Sequence, residues 1–138
     1  MNVLFVCKGN TGRSQWAEAF FNALSREHKA TSAGTHVAAD GREGTSLTDT
    51  GQNVLLSAKE AGIDLSRAKR RQVTPEMVER ADKVVVITAP SDCPDSVRRS
   101  GKTVFWDIPD AKGTDYPTHR RIRDQVGAKV RELVKELG

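Results

Sequence analysis

The chain opens on an apolar run, Val3-Leu4-Phe5-Val6, that stops at Cys7 and gives way to a polar, glycine-bearing stretch, Lys8 to Gly12. Four β-favouring residues without alternation predict a central parallel strand from Asn2 to Val6, covered on both faces. From Ser14 to Arg26, Trp16, Ala17, Phe20, Phe21 and Leu24 recur at helical spacing. A short strand is expected over Lys29 to Ser32, closed by Ala33-Gly34, and the polar run Thr35 to Thr48 reads as loop. Asp49 to Ala61 predicts a helix with Val54, Leu55, Ala58 and Ala61 on one face and Gly62 as its stop. Thr74-Pro75-Glu76 has the order of an N-cap, a first-turn proline and a first-turn acid, which predicts a helix to about Ala81. Lys83 to Thr88 is the clearest strand. Ala89 to Gly101 reads as loop with one helical turn after Pro94, and Lys102 to Trp106 as a last strand. Asp107 to Pro117 is a loop carrying Asp107, Asp110 and Asp115. Thr118 to Leu137 is a terminal helix built on Ile122, Val126, Val130, Leu133 and Leu137.

Strands alternating with helices define an α/β chain: a three-layer sandwich around a central four-stranded parallel sheet, Rossmann-like, as one domain over 1–138. Its 138 residues suit a single core, and 37% hydrophobic with 29% charged residues describe a globular chain. No apolar run reaches membrane-spanning length, and no charged leader precedes a long apolar core. Two cysteines far apart in sequence make no disulfide framework, so a reducing cytoplasm is the expected setting. The net charge is +4, and basic residues run together at Lys69-Arg70-Arg71, Arg98-Arg99 and Arg120-Arg121-Arg123, without aromatic interleaving. These read as solvated faces with some attraction for anions, and not as a nucleic-acid surface.

In a sheet of this class, ligands bind beyond the carboxyl ends of the strands. The loops after Val6, Thr88 and Trp106 all leave such ends, so Cys7, Cys93 and Asp110 are expected on one rim. The first loop carries the chemistry. Backbone N–H groups in a glycine-bearing strand-to-helix loop, with the helix N-terminus behind them, form an anion site. Those dipoles stabilise the thiolate of a cysteine at its mouth. Arg13 can grip a tetrahedral oxyanion with two parallel hydrogen bonds.

Val6-Cys7-Lys8-Gly9-Asn10-Thr11-Gly12-Arg13-Ser14, directly after an N-terminal strand, resembles the loop of the low-molecular-weight protein tyrosine phosphatases. The thioredoxin-coupled arsenate reductases share that loop. The likeness continues through Ala17-Glu18-Ala19, Ser32-Ala33-Gly34, Gly62-Ile63-Asp64-Leu65-Ser66 and Asp107-Ile108-Pro109-Asp110, which is nearly the whole chain. The resemblance implies attack on phosphorus by the Cys7 thiolate, with Arg13 and the amides of Lys8, Gly9, Asn10, Thr11 and Gly12 holding the oxyanion. It implies that Ser14 hydrogen-bonds the thiolate and that Asn10 shapes the loop in a left-handed conformation. Asp110 is implied as the acid that protonates the leaving oxygen, with Asp107 as the second candidate. Asn10, Glu18, Ser32 and Asp64 match positions of a polar network beneath the loop, sometimes around a potassium ion; the other reading is four ordinary polar residues. No cofactor or resident metal is implied. The implied substrates are a phosphorylated protein, a small phosphomonoester or another oxyanion, with thioredoxin or a small thiol as partner for a reductase.

Four departures from the family pattern bear on function. Gly12 stands where the phosphatases carry a second cysteine that guards the nucleophile through a disulfide. Asp110 is followed by Ala111 where the family has proline, which removes rigidity. Lys112 and Gly113 replace aromatic residues that wall a phosphotyrosine ring, and Thr35 to Thr48 also lacks an aromatic. Gln15 occupies a position that is mostly proline in the phosphatases and typically glutamine in the reductases. Against a reductase stands the cysteine count: of the two further thiols of the reductase relay, only Cys93 is present. Phosphatase is the leading reading, and arsenate reductase, with Cys93 or an external thiol resolving the adduct, is the alternative.

Overall fold

The computed structural model describes residues 1–49 and 51–138. Its first strand, β1 (Asn2–Cys7), is buried from its second residue onward and lies inside the sheet. It pairs in parallel with β2 (Lys29–Gly34) on one side and β3 (Lys83–Val86) on the other, with Cys7 opposite Gly34 and Val6 opposite both Ala33 and Val86. β4 (Thr103–Phe105) pairs with β3, giving the order β2-β1-β3-β4. The chain leaves β1 toward β2 and later returns to its other side, so the loop after Cys7 sits at a topological switch point.

Alternation along β1 divides the core. Val3 and Phe5 face a cluster with Trp16, Ala17 and Phe21 of α1 (Arg13–Leu24), Val54 and Ala58 of α2 (Gln52–Glu60), and Ile122, Val126, Val130 and Leu133 of α5 (Tyr116–Leu137). Leu4 and Val6 face the other cluster, with Val78 of α3 (Pro75–Arg80) and Val97 of α4 (Asp95–Arg98). Helices thus cover both faces, as strands apolar on both sides require. One 3-10 turn, Pro90–Asp92, precedes α4.

The elements agree with the sequence expectation and differ at their ends. β2 runs on to Gly34, and β3 stops at Val86. α2 begins at Gln52, after the expected start at Asp49; Thr50, included in that expectation, lies outside the described residues. Thr74 caps α3 by accepting from the Met77 amide at 3.2 Å, as its position predicts. α5 starts at Tyr116, two residues early, because Asp115 accepts from the Thr118 amide at 2.9 Å and Pro117 fits the first turn, where no N–H is needed. Gly34 has a steric reason: a Cβ there would lie 2.6 Å from the Lys8 carbonyl oxygen and 2.9 Å from the Asn10 nitrogen. The loop after β1 therefore rests directly on β2. No helix is long and apolar enough to cross a membrane among the described residues.

Two basic runs depart from the solvated reading. Arg70 is completely buried, and Arg123 is 7% exposed, donating to the Ser57 carbonyl and the Glu60 carboxylate at 2.8 Å each. Long-range partners make these cations internal struts between segments.

Candidate active site

β1 delivers Cys7 to the floor of a cavity of about 530 Å³, and α1 begins at Arg13 on its far side. Among the described residues, none accepts a hydrogen bond from the backbone amides of Lys8 to Gly12. No side chain caps the N-terminus of α1 either. A cluster of uncommitted donors beside a helix start is the physical requirement for anion binding.

The loop keeps this shape through Asn10, fully buried and at φ 51°, in the left-handed region that asparagine tolerates. Its amide nitrogen donates to Ser14 Oγ at 2.8 Å and Ser32 Oγ at 3.0 Å. Its Oδ1 accepts from the Arg71 amide at 2.9 Å and from Gln15 Nε2 at 3.2 Å. These four contacts use the whole capacity of the side chain. Ser14 Oγ, already accepting from Asn10, has its own hydrogen free for Cys7 Sγ, 2.9 Å away. The sulfur is then the acceptor. Beneath Ser32 lies Glu18, whose carboxyl is pushed up by burial, with Ser32 and the Arg71 charge pulling the other way. Asp64 is not part of this group: it is exposed and accepts from the Ser66 amide at 2.8 Å in a local turn.

Arg13 is held from the opposite side. It donates to the Ile108 carbonyl at 3.2 Å, and its guanidinium lies 3.5 Å from the Asp110 carboxylate. The other Asp110 oxygen accepts from the Lys112 amide at 3.0 Å, and Thr114 donates to the Ala111 carbonyl at 2.6 Å. Hydrogen bonds thus tie the turn that the missing proline was expected to leave loose. Asp107 is exposed and does not line the cavity.

Cys7, Lys8, Gly9, Thr11, Gly12, Arg13 and Asp110 all border the cavity. The side chains of Asn10 and Ser14 are fully buried and do not line the cavity; they hold the loop from behind, and the Asn10 amide stays among the uncommitted donors. Cys93 is not on the rim. It is buried with Leu4, Val6, Val84 and Val86 on the sheet face served by α3 and α4, and burial, then the Asp92 charge, pushes its thiol up. Two residues at this site escape sequence reasoning. Arg70 donates to Thr11 Oγ at 2.8 Å, Thr45 Oγ at 2.9 Å and the Ser46 carbonyl at 2.6 Å, and pairs with Asp49 at 3.1 Å. Within a Lys-Arg-Arg run it gives no sign of burial. His119 lines the cavity with its ring edge-on to Trp16, and its helical position reads as an ordinary α5 residue. Gln15 donates to the Asn10 and Lys69 carbonyls and does not reach the cavity, so its role is to brace the loop.

Comparison with known proteins agrees with this architecture. The family model described as "Low molecular weight phosphotyrosine protein phosphatase" matches residues 2–138. An arsenate reductase of Brevibacillus brevis is 29% identical over 136 residues, covering 96% of this chain and 93% of that protein. Among solved structures, Wzb of Vibrio vulnificus in complex with benzylphosphonate superposes with a TM-score of 0.88 at 20% identity, over 98% of this chain and 97% of that one, a likeness of fold. An arsenate reductase of Archaeoglobus fulgidus gives 0.75 at 32% identity, over 96% and 98% respectively.

Proposed function

The chain belongs to the low molecular weight phosphotyrosine protein phosphatase family, and from that premise we propose that it hydrolyses phosphate monoesters through a cysteinyl-phosphate intermediate. The observation that carries this reading is the set of uncommitted amides from Lys8 to Gly12 around a Cys7 sulfur that receives the Ser14 hydrogen. In the first step the Cys7 thiolate forms a bond to phosphorus, the bond from phosphorus to the leaving oxygen breaks, and Asp110 gives that oxygen its proton. The loop amides and Arg13 hold the three equatorial oxygens. In the second step water attacks phosphorus while Asp110 takes its proton, the P–S bond breaks, and phosphate leaves with the thiolate restored. Ser14 eases that departure by donating to the sulfur. A phosphorylated protein or a small phosphomonoester is the substrate, and the cytoplasm the setting.

Arsenate reduction is the second reading, favoured by relatives named arsenate reductase. The same cradle accepts tetrahedral arsenate, and the Cys7 thiolate bonds to arsenic as one As–O bond breaks and that oxygen leaves as water after protonation. An external thiol then attacks the Cys7 sulfur, arsenite leaves with two electrons, and a second thiol reduces the mixed disulfide. The burial of Cys93 on the opposite sheet face favours a small thiol or thioredoxin over Cys93 as the resolving group.

A paired assay separates the two: release of phosphate from p-nitrophenyl phosphate, and arsenate reduction with thioredoxin or small thiols. Phosphatase turnover is expected, with Cys7→Ser inactive yet still binding inorganic phosphate. Asp110→Asn should slow alkyl phosphates by about 10²-fold or more and p-nitrophenyl phosphate far less, since only the former need a proton. Arsenate turnover without phosphatase activity overturns the ranking.

A further inference from the structure

His119 stands in the wall of the Cys7 cavity, and the phosphoryl-transfer scheme has no use for it. The ring is 6% exposed and its centroid lies 6.3 Å from that of Trp16. Nδ1 lies 2.9 Å from the Asp115 carbonyl oxygen and 3.1 Å from Thr114 Oγ. A carbonyl only accepts, and the Thr114 hydrogen is already directed at the Ala111 carbonyl. Nδ1 therefore carries a hydrogen. Among the described residues Nε2 has no hydrogen-bond partner, and it is not sealed from solvent. Nε2 is thus the ring atom left to hydrogen-bond a ligand in the cavity.

Asp40, Gln52, Asn53, Asp110 and Lys112 line the cavity beside Val37, Val54 and Ala111, and His119 is the one ring among the lining residues. A phenolic leaving group would strip water from these polar side chains and return no hydrogen bonds. A leaving group carrying hydroxyls replaces that water group by group.

We infer that the site takes an aliphatic, hydroxyl-bearing phosphate monoester, with the Nε2 of His119 hydrogen-bonded to a hydroxyl of the leaving group. The inference rests on the phosphatase reading and names its substrate class. His119 acts in recognition and takes no part in the proton transfers.

Glycerol 3-phosphate and propyl phosphate test it, since they share an alkoxide leaving group and differ in hydroxyls. The wild-type protein should favour glycerol 3-phosphate in kcat/KM by about tenfold or more, the scale of one net hydrogen bond. In His119→Phe, which keeps a ring against Trp16, that ratio should fall toward one. His119→Gln, whose amide also hydrogen-bonds a hydroxyl, should keep part of it. Equal use of the two esters by the wild-type protein overturns the inference without any variant. An unchanged ratio in His119→Phe overturns the role of His119. If the wild-type protein releases phosphate from neither ester nor from p-nitrophenyl phosphate, the phosphatase reading itself falls; hydrolysis without discrimination removes the substrate class alone.

Discussion

Glu18 and Cys7 are the two ends of a chain of hydrogen bonds that runs through Ser32, Asn10 and Ser14. Because both Asn10 hydrogens are spent on serine oxygens, the order of donors along the chain is set without any charge change at Cys7. Glu18 is where this order meets acidity. Burial raises its carboxyl above the ordinary glutamate range. A raised carboxyl holds its proton in the folded state over a window where the unfolded chain has lost it. Its contribution is complete below the unfolded value and is lost as pH rises through the folded one. Glu18→Gln stays neutral throughout, so its urea midpoint should gain on that of the wild-type protein between about pH 4 and pH 7. Parallel midpoints across that range would show that burial does not govern this carboxyl. At this scale the sequence was legible where the loop motif speaks: Cys7, Arg13 and Asp110 border one cavity. It was not legible where a side chain serves a distant partner. Arg70 looks like its solvated neighbours, and Asp64 matches a network position yet faces solvent, because neither contact is encoded by local spacing.

At the level of elements, β2 is an edge strand, and its outer side is guarded by α1. Asn22 accepts from the Ala30 amide at 2.8 Å and donates to the Ala30 carbonyl at 3.1 Å, standing in for a neighbouring strand. Asn22→Ala should cost about 1–2 kcal/mol from two lost hydrogen bonds. It should also promote association through the bared edge, read by urea denaturation and by light scattering at rising protein concentration. A variant as stable and as monodisperse as the parent would show that water satisfies Ala30 equally well. Strands and helices were legible from apolar period, and their ends were less so. Asp115 and Pro117 read as loop residues, although an aspartate cap and a first-turn proline are equally the start of a helix. β2 outlasts its apolar pattern because its last residues are held by the loop packed on Gly34, a contact that periodicity does not register.

Across the whole molecule, the sheet separates the two thiols. Cys7 ends β1 at the floor of the cavity bordered by α1, and Cys93 is buried among Leu4, Val6, Val84 and Val86 beneath α3 and α4. Iodoacetate, an anion, should alkylate Cys7 in the native protein and be blocked by phosphate, while Cys93 reacts only in denaturant; peptide mapping reads both. Rapid native labelling of Cys93 would contradict its burial. The α/β order and the sheet were legible because alternation of apolar runs encodes them. The assignment of Cys93 to the active rim failed because a loop leaving a carboxyl end is free to fold under either face. Arg70 joins the remaining parts: one guanidinium holds Thr11 in the cavity floor and Thr45, Ser46 and Asp49 in the segment beside it. Floor and flank are therefore a single mechanical unit. An anion that steadies the floor also slows the opening of that flank, so the energy of occupancy is spread over residues that never meet the ligand.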